Sequence, residues 1–161
     1  MATKASFSAV EIANAFIELA NSNGVKMSNM QLQKLVYIAF GYFAALMNKR
    51  LFDDDIEAWY FGPVIPNLYH RLKKYGLDVI TQPISTETEV DTDSSEWKIV
   101  EAVWESYDKY TAEELSNLTH QEGTPWSNVY KEGAKHIKIP FHLIRQYYEH
   151  LLRGKMRAEK V

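Results

Sequence analysis

A chain of 161 residues, 46% hydrophobic and 24% charged, has the composition of one folded domain with a core rather than of a disordered segment. Its formal net charge of -3 argues against a free-standing nucleic-acid binder, and the absence of cysteine removes disulfides, thiolate nucleophiles and cysteine-ligated metal centres. The opening MATKASFSAVEIANAF has no long apolar run, and no segment approaches the ~20 apolar residues of a membrane span, so the expectation is a cytoplasmic protein with no signal peptide.

Ser8 and Glu11 form a capping-box pattern, and Val10, Ala13, Phe16, Ile17 and Ala20 follow at helical spacing until Gly24. Ser28 and Gln31 repeat the pattern. They open the strongest helix, in which Leu32, Leu35, Val36, Ala39, Phe40, Phe43, Ala44 and Met47 make an apolar stripe broad enough for a central helix. Alternation over Ile56–Phe61 predicts a short strand, with Trp59 and Phe61 on one side and Tyr60 on the other. Gly62 and Pro63 end it, and Pro66 suits the first turn of a helix running to Gly76.

Residues 77–95 are polar and acidic and predict an exposed loop, with an edge hairpin around Val79–Ile84. Trp97, Val100, Val103, Trp104 and Tyr107 share a helical face. Thr111 and Glu114 form a third capping box before Leu115 and Leu118. Gly123 permits a turn, Thr124 can cap, and Pro125 fits the first position of a short helix carrying Trp126, Val129 and Tyr130. HIKIP predicts a second extended piece, and Pro140 opens a last helix with Phe141, Ile144, Tyr148 and Leu151 inward and Gly154 near its end. A basic tail, 154–161, follows a core of roughly 8–153. The fold class expected is mainly α: a compact single-domain bundle of about six to seven helices with a small β element.

Chemistry is sparse. His120 and Glu122 form an H-x-E, but the P-C-x-x-C that completes a zinc deaminase site is missing. No H-E-x-x-H, nucleophile elbow or phosphate-binding glycine loop occurs, so no catalytic residue, metal or cofactor is assigned. A hydrolase-like centre using His120 and Glu122 is one alternative. Another is a phage-associated regulatory factor contacting nucleic acid through Arg71, Lys73, Lys74 and the basic tail. Against both stands a solvated helix face and a corner in which His120 bonds nearby backbone. The aromatic, nearly uncharged Trp59, Phe61, Gly62, Pro63 and Val64 segment suits protein recognition instead.

Two separated motifs carry a resemblance. The first is Leu32-Gln33-Lys34-Leu35-Val36-Tyr37, then Arg50-Leu51-Phe52, then Ala58-Trp59-Tyr60-Phe61-Gly62-Pro63-Val64. The second is the corner from Leu115 to Trp126, with Thr119, His120, Pro125 and Trp126. Together they resemble the Panacea domain, or antitoxin SocA-like domain, family over roughly residues 10–150. The resemblance implies a mainly helical, non-enzymatic module of prophage-associated and toxin–antitoxin operons. It implies a protein partner, a toxin made by a neighbouring gene, neutralised by direct binding or by delivery to a AAA+ protease. No catalytic residues are implied.

Overall fold

The computed structural model describes residues 4–159. Among them are seven α-helices, one 3₁₀ turn and two small antiparallel strand pairs, as the patterning predicts. No helix among the described residues is long and apolar enough to cross a membrane.

Three capping boxes set helix starts. α1 (Ala9–Ser22), α2 (Asn29–Met47) and α5 (Ala112–His120) each open with a hydroxyl that accepts the N3 amide while the N3 side chain accepts the cap amide. α2 is the axis of the domain. Every residue from Leu32 to Ala44 is buried, beneath α1, α4 (Ser95–Tyr107), α5 and α7 (Phe141–Glu159). A helix covered on all sides must be apolar on all sides, and each fully buried Leu or Phe in it contributes about 1.5–3 kcal/mol. At Gly41 α7 packs directly on the α2 backbone. A Cβ there would lie 2.2 Å from the Tyr148 ring, so the aromatic ring occupies the space that glycine leaves empty.

The link after α2 is fastened by Arg50. Its guanidinium donates to the carbonyls of Phe52 and Asp54 and lies over the Phe40 ring, while Leu51 and Phe52 are fully buried.

The strand expected over 56–61 is instead one arm of a hairpin. β2 (Glu57–Trp59) pairs with β3 (Gly62–Val64), Trp59 facing Gly62, and Tyr60-Phe61 form the turn. Phe61 therefore does not share a strand face with Trp59. The other edge of β2 receives the HIKIP segment: Ala58 donates to Ile137 and Ile139 to Ile56. β3 is thus an edge strand, which is where Pro63, lacking an N–H, is tolerated.

α3 (Pro66–Leu72), with Pro66 in its first turn, passes into the 3₁₀ turn Lys73–Tyr75 and stops at Gly76. The expected hairpin at Val79–Ile84 does not form. Val79–Ile80 (β4) pairs with Met27–Ser28 (β1) across the chain. The acidic stretch after it is a strap over α1 rather than a free loop. Asn14 donates to the Ile84 carbonyl and accepts the Ile84 amide, both at 2.7 Å. Thr88 bonds the Glu11 carboxylate, Arg71 holds the Ser85 carbonyl, and Val90 is buried.

α6 (Pro125–Val129) starts at the Thr124 cap. α7 runs through Gly154 to Glu159, so that glycine does not end the helix. Lys155 turns inward from the expected basic tail: it donates to Tyr42 Oη, itself 3.0 Å from Tyr107 Oη, tying α7 to α2 and α4. Lys160 and Val161 of that tail lie outside the described residues.

Candidate functional site

The two sequence motifs meet at the hairpin. From α2, Gln33 and Lys34 are each only 1% exposed. Buried polar groups must be hydrogen-bonded to persist, and both reach the hairpin's outgoing arm, Gln33 Nε2 also donating to Asn29 Oδ1. Gln33 Oε1 accepts the Ile65 amide at 3.0 Å, and Lys34 Nζ donates to the Pro63 carbonyl at 2.8 Å. Burial pushes Lys34 down from 10.5 to about 7. Among the described residues no carboxylate forms an ion pair with it.

From the corner, Ser116 Oγ donates to the Phe61 carbonyl at 2.7 Å, and Trp126 Nε1 donates to the Trp59 carbonyl at 2.6 Å. Four alternate residues of the hairpin, 59, 61, 63 and 65, are therefore held by side chains from α2, α5 and α6. Gly62 sits within this clasp at φ 115°, where a Cβ would come 3.2 Å from Lys34 Nζ and 3.4 Å from Thr119 Oγ1. Both the backbone angle and the close approach call for glycine.

His120 serves the corner. Its Nδ1 bonds the Ser116 carbonyl one helical turn back, and its ring meets the Trp126 indole edge-on at 5.2 Å. Trp126 in turn stacks on Tyr130 at 4.3 Å. Thr119 Oγ1 donates back to the Leu115 carbonyl, Pro125 is buried, and Glu122 is exposed on the turn. No hydrogen bond joins His120 to Glu122 among the described residues. The base-and-orienter geometry that a hydrolytic pair requires is not assembled there. No group of three or more acidic or histidine side chains suited to a metal occurs among the described residues either.

What the clasp presents is the turn. Tyr60 is 68% exposed and Phe61 57%, edge to face at 4.8 Å. Trp59, half-buried, donates to Glu57 Oε1 and lies against Tyr69 at 5.0 Å. Gly62, Pro63 and Val64 are buried. They form the return arm and aim the tip; of the expected contact residues Phe61 is the one fully facing solvent, and Tyr60, which the sequence reading did not place in the contact, stands beside it. Beside the tip runs a groove of about 290 Å³ between α2, α3 and the Gly76–Leu77 turn. Leu77 on its rim carries no sequence signal that would have singled it out, whereas Lys73, noted in the sequence only as part of a basic helix face, lines this groove. Ser116, by contrast, lies inside the corner motif.

The basic residues are less available for a polyanion than their spacing suggests. Arg71 is engaged with Ser85, and Lys74 lies 5.4 Å over the Tyr75 ring.

Comparison with known proteins agrees with both motifs. The family model described as antitoxin SocA-like, Panacea domain, matches residues 32–127, a span containing the α2 motif, the hairpin and the corner. A curated relative, Antitoxin SocA of Caulobacter vibrioides (strain NA1000 / CB15N), is 26% identical over 166 residues, covering 93% of this chain and 82% of that protein. No solved structure matches significantly.

Proposed function

This chain belongs to the antitoxin SocA-like, Panacea domain family, and from that premise we propose that it is a non-enzymatic module that binds and neutralises a protein toxin encoded by a neighbouring gene. The contact is the hairpin tip, Tyr60 and Phe61, with Trp59 behind it. One observation carries this reading: two adjacent aromatic rings stand in solvent on a turn whose backbone is clasped on both arms. Exposed rings gain by burial against a partner. A turn already fixed in place loses little conformational freedom when it docks, which is how preorganised anchors become hot spots. Neutralisation follows from covering the toxin directly or from presenting it to a AAA+ protease, and work in a bacterial cytoplasm suits either route.

Co-expression with the toxin of the adjacent reading frame tests it. The wild-type chain restores growth. The Tyr60→Ser, Phe61→Ser double variant, unchanged in thermal midpoint, loses at least about tenfold in surviving colonies, since a hot-spot anchor is worth about 2 kcal/mol or more. Full rescue by the folded double variant removes the tip from the interface. Failure of the wild type to rescue from any neighbouring frame removes the antitoxin reading itself. Toxin half-life with and without the antitoxin separates direct blocking from proteolytic delivery.

A further inference from the structure

We propose that the aromatic hairpin is a ridge straddled by an acidic face of its protein partner. An apolar recess in that face takes Tyr60 and Phe61, and carboxylates on both sides of the recess meet the exposed ammonium groups of Lys73 and Lys135. This rests on the reading of the tip as the toxin contact, and it adds the shape and charge of the toxin's surface there.

The tip separates two grooves. One is the groove of about 290 Å³ that ends at the Gly76–Leu77 turn. The other, of about 420 Å³, lies against the β2 arm and is walled by Tyr130 and the segment Gly133–His136. Trp59 and Tyr60 line both, so these two rings form the wall between them. Each volume is near the lower end of small-molecule sites, about 300–1,000 Å³, and the aromatic wall keeps the two apart. What fills both at once is a protein surface that straddles the tip. Gly76 and Gly133 have positive φ, 57° and 79°, and a Cβ on either would meet nothing within 4 Å. The outer walls are therefore turns with room beside them for an approaching chain.

Charge marks both grooves in the same sense. Lys73 lines the first and Lys135 the second. Both residues are exposed, and neither joins an ion pair among the described residues. The two walls hold one carboxylate, Glu57. It is buried and already engaged by the Trp59 indole and by His136. Asp78 and Glu132, near in sequence, lie outside both walls. Lys34, enclosed beneath the return arm, is not part of this contact.

The grooves that flank the strap are of opposite character. Both include Glu11, with Glu18 and Glu89 in one and Asp54 and Glu87 in the other, and their one cation, Arg71, is engaged with the Ser85 carbonyl. On a protein of net charge -3 the hairpin is thus a local reversal of sign. It attracts an acidic face that the strap repels. Exposed charges at the rim of a contact act chiefly on encounter and register, while the buried apolar centre sets the residence time.

The test measures binding of the full chain to the purified product of the adjacent reading frame by biolayer interferometry. At about 0.05 M salt, Lys73→Glu and Lys135→Glu should each slow association about threefold, and the two together about tenfold, with dissociation little changed. At about 1 M salt, where the screening length is about 3 Å, the differences should close. Tyr60→Ser with Phe61→Ser should speed dissociation instead. Lys98→Glu is the control for net charge. It is exposed on α4 beside Ile99, which shares a pocket with Leu46 at the opposite end of α2 from the hairpin, and it should associate as the wild type does. Thermal midpoints equal to wild type assign the rates to the surface rather than to folding. Reversals that leave association unchanged overturn the proposal. So do reversals that speed it, which would mark a basic partner face, and a Lys98→Glu that slows it equally. An effect from one lysine alone overturns the straddling geometry. A wild type that binds the product of no adjacent frame overturns the toxin reading itself.

Discussion

The indole N–H of Trp126 donates to the backbone carbonyl of Trp59 at 2.6 Å, joining residues 67 apart in the chain. It is the bond by which the corner motif holds the inner arm of the hairpin. Trp126→Phe keeps a ring against His120 and Tyr130 but removes the donor. The partly buried carbonyl then loses its partner, at a cost of about 1–3 kcal/mol. Urea unfolding should show that loss as a lower midpoint with an unchanged slope. Hydrogen exchange should quicken around the hairpin before it quickens in α2. A midpoint equal to wild type would mean that the bond adds nothing net.

Gly41 and Gly154 make opposite predictions from the same substitution. At Gly41 an added methyl runs into the Tyr148 ring at 2.2 Å, and the ring is walled in by Tyr37, Tyr42 and Tyr147. Gly41→Ala should therefore cost about 1–3 kcal/mol or more through overpacking. Gly154 lies in α7 with nothing within 4 Å of the added carbon. Gly154→Ala should stabilise by roughly 0.5–1 kcal/mol by reducing the freedom of the unfolded chain. Thermal midpoints of the two variants, measured side by side, check both signs.

These contrasts show which parts of the fold could be read from the chain. The three capping boxes were legible because each is a contact between residues three apart, and all three formed as the spacing requires. The breadth of the α2 stripe announced a central helix for the same local reason. The hairpin was read as a single strand because its turn, Tyr60-Phe61, has neither the Asn-Gly nor the Asp-Gly of a two-residue turn. Its positive φ falls one residue later, at Gly62, and its geometry is imposed by side chains from distant helices. The strap was missed because Asn14 supplies a substitute for a strand partner from within a helix. Lys34 is the sharpest case. On an ordinary amphipathic helix a lysine beside a glutamine marks the wet face, but a helix enclosed by four others has no wet face to offer. The charge is carried inside, where it shapes the site.

Asn14 fixes the strap with a pair of 2.7 Å bonds to one residue, Ile84. Asn14→Ala leaves both backbone groups of Ile84 to find water instead, and Ile84 is only partly buried, so the cost should be about 1–2 kcal/mol. The loss should be local. Amide exchange within residues 81–90 should accelerate, while amides of α2 keep their protection. Uniform acceleration across the domain would instead mean that the strap unfolds only with the core.

Lys34 makes stability depend on pH in a direction opposite to that of a salt-bridged carboxylate. In the unfolded chain its pKa is 10.5, and in the folded protein burial brings it to about 7. Between those values the unfolded chain holds the extra proton, so stability rises with pH across the window. Below about 7 both states are protonated and the full cost of burying the charge is present; above 10.5 both are neutral and the cost is gone. Lys34→Met lacks this titration. The variant also forfeits the bond to the Pro63 carbonyl, an effect that does not change with pH. The stability difference, variant minus wild type, should therefore fall as pH rises from 7 towards 10, by about 1.4 kcal/mol per pH unit at most. Because the buried tyrosines are present in both proteins, their titration cancels in that difference. Paired urea titrations at pH 7, 8 and 9 measure it, and a difference independent of pH would place the folded-state pKa of Lys34 near its ordinary value.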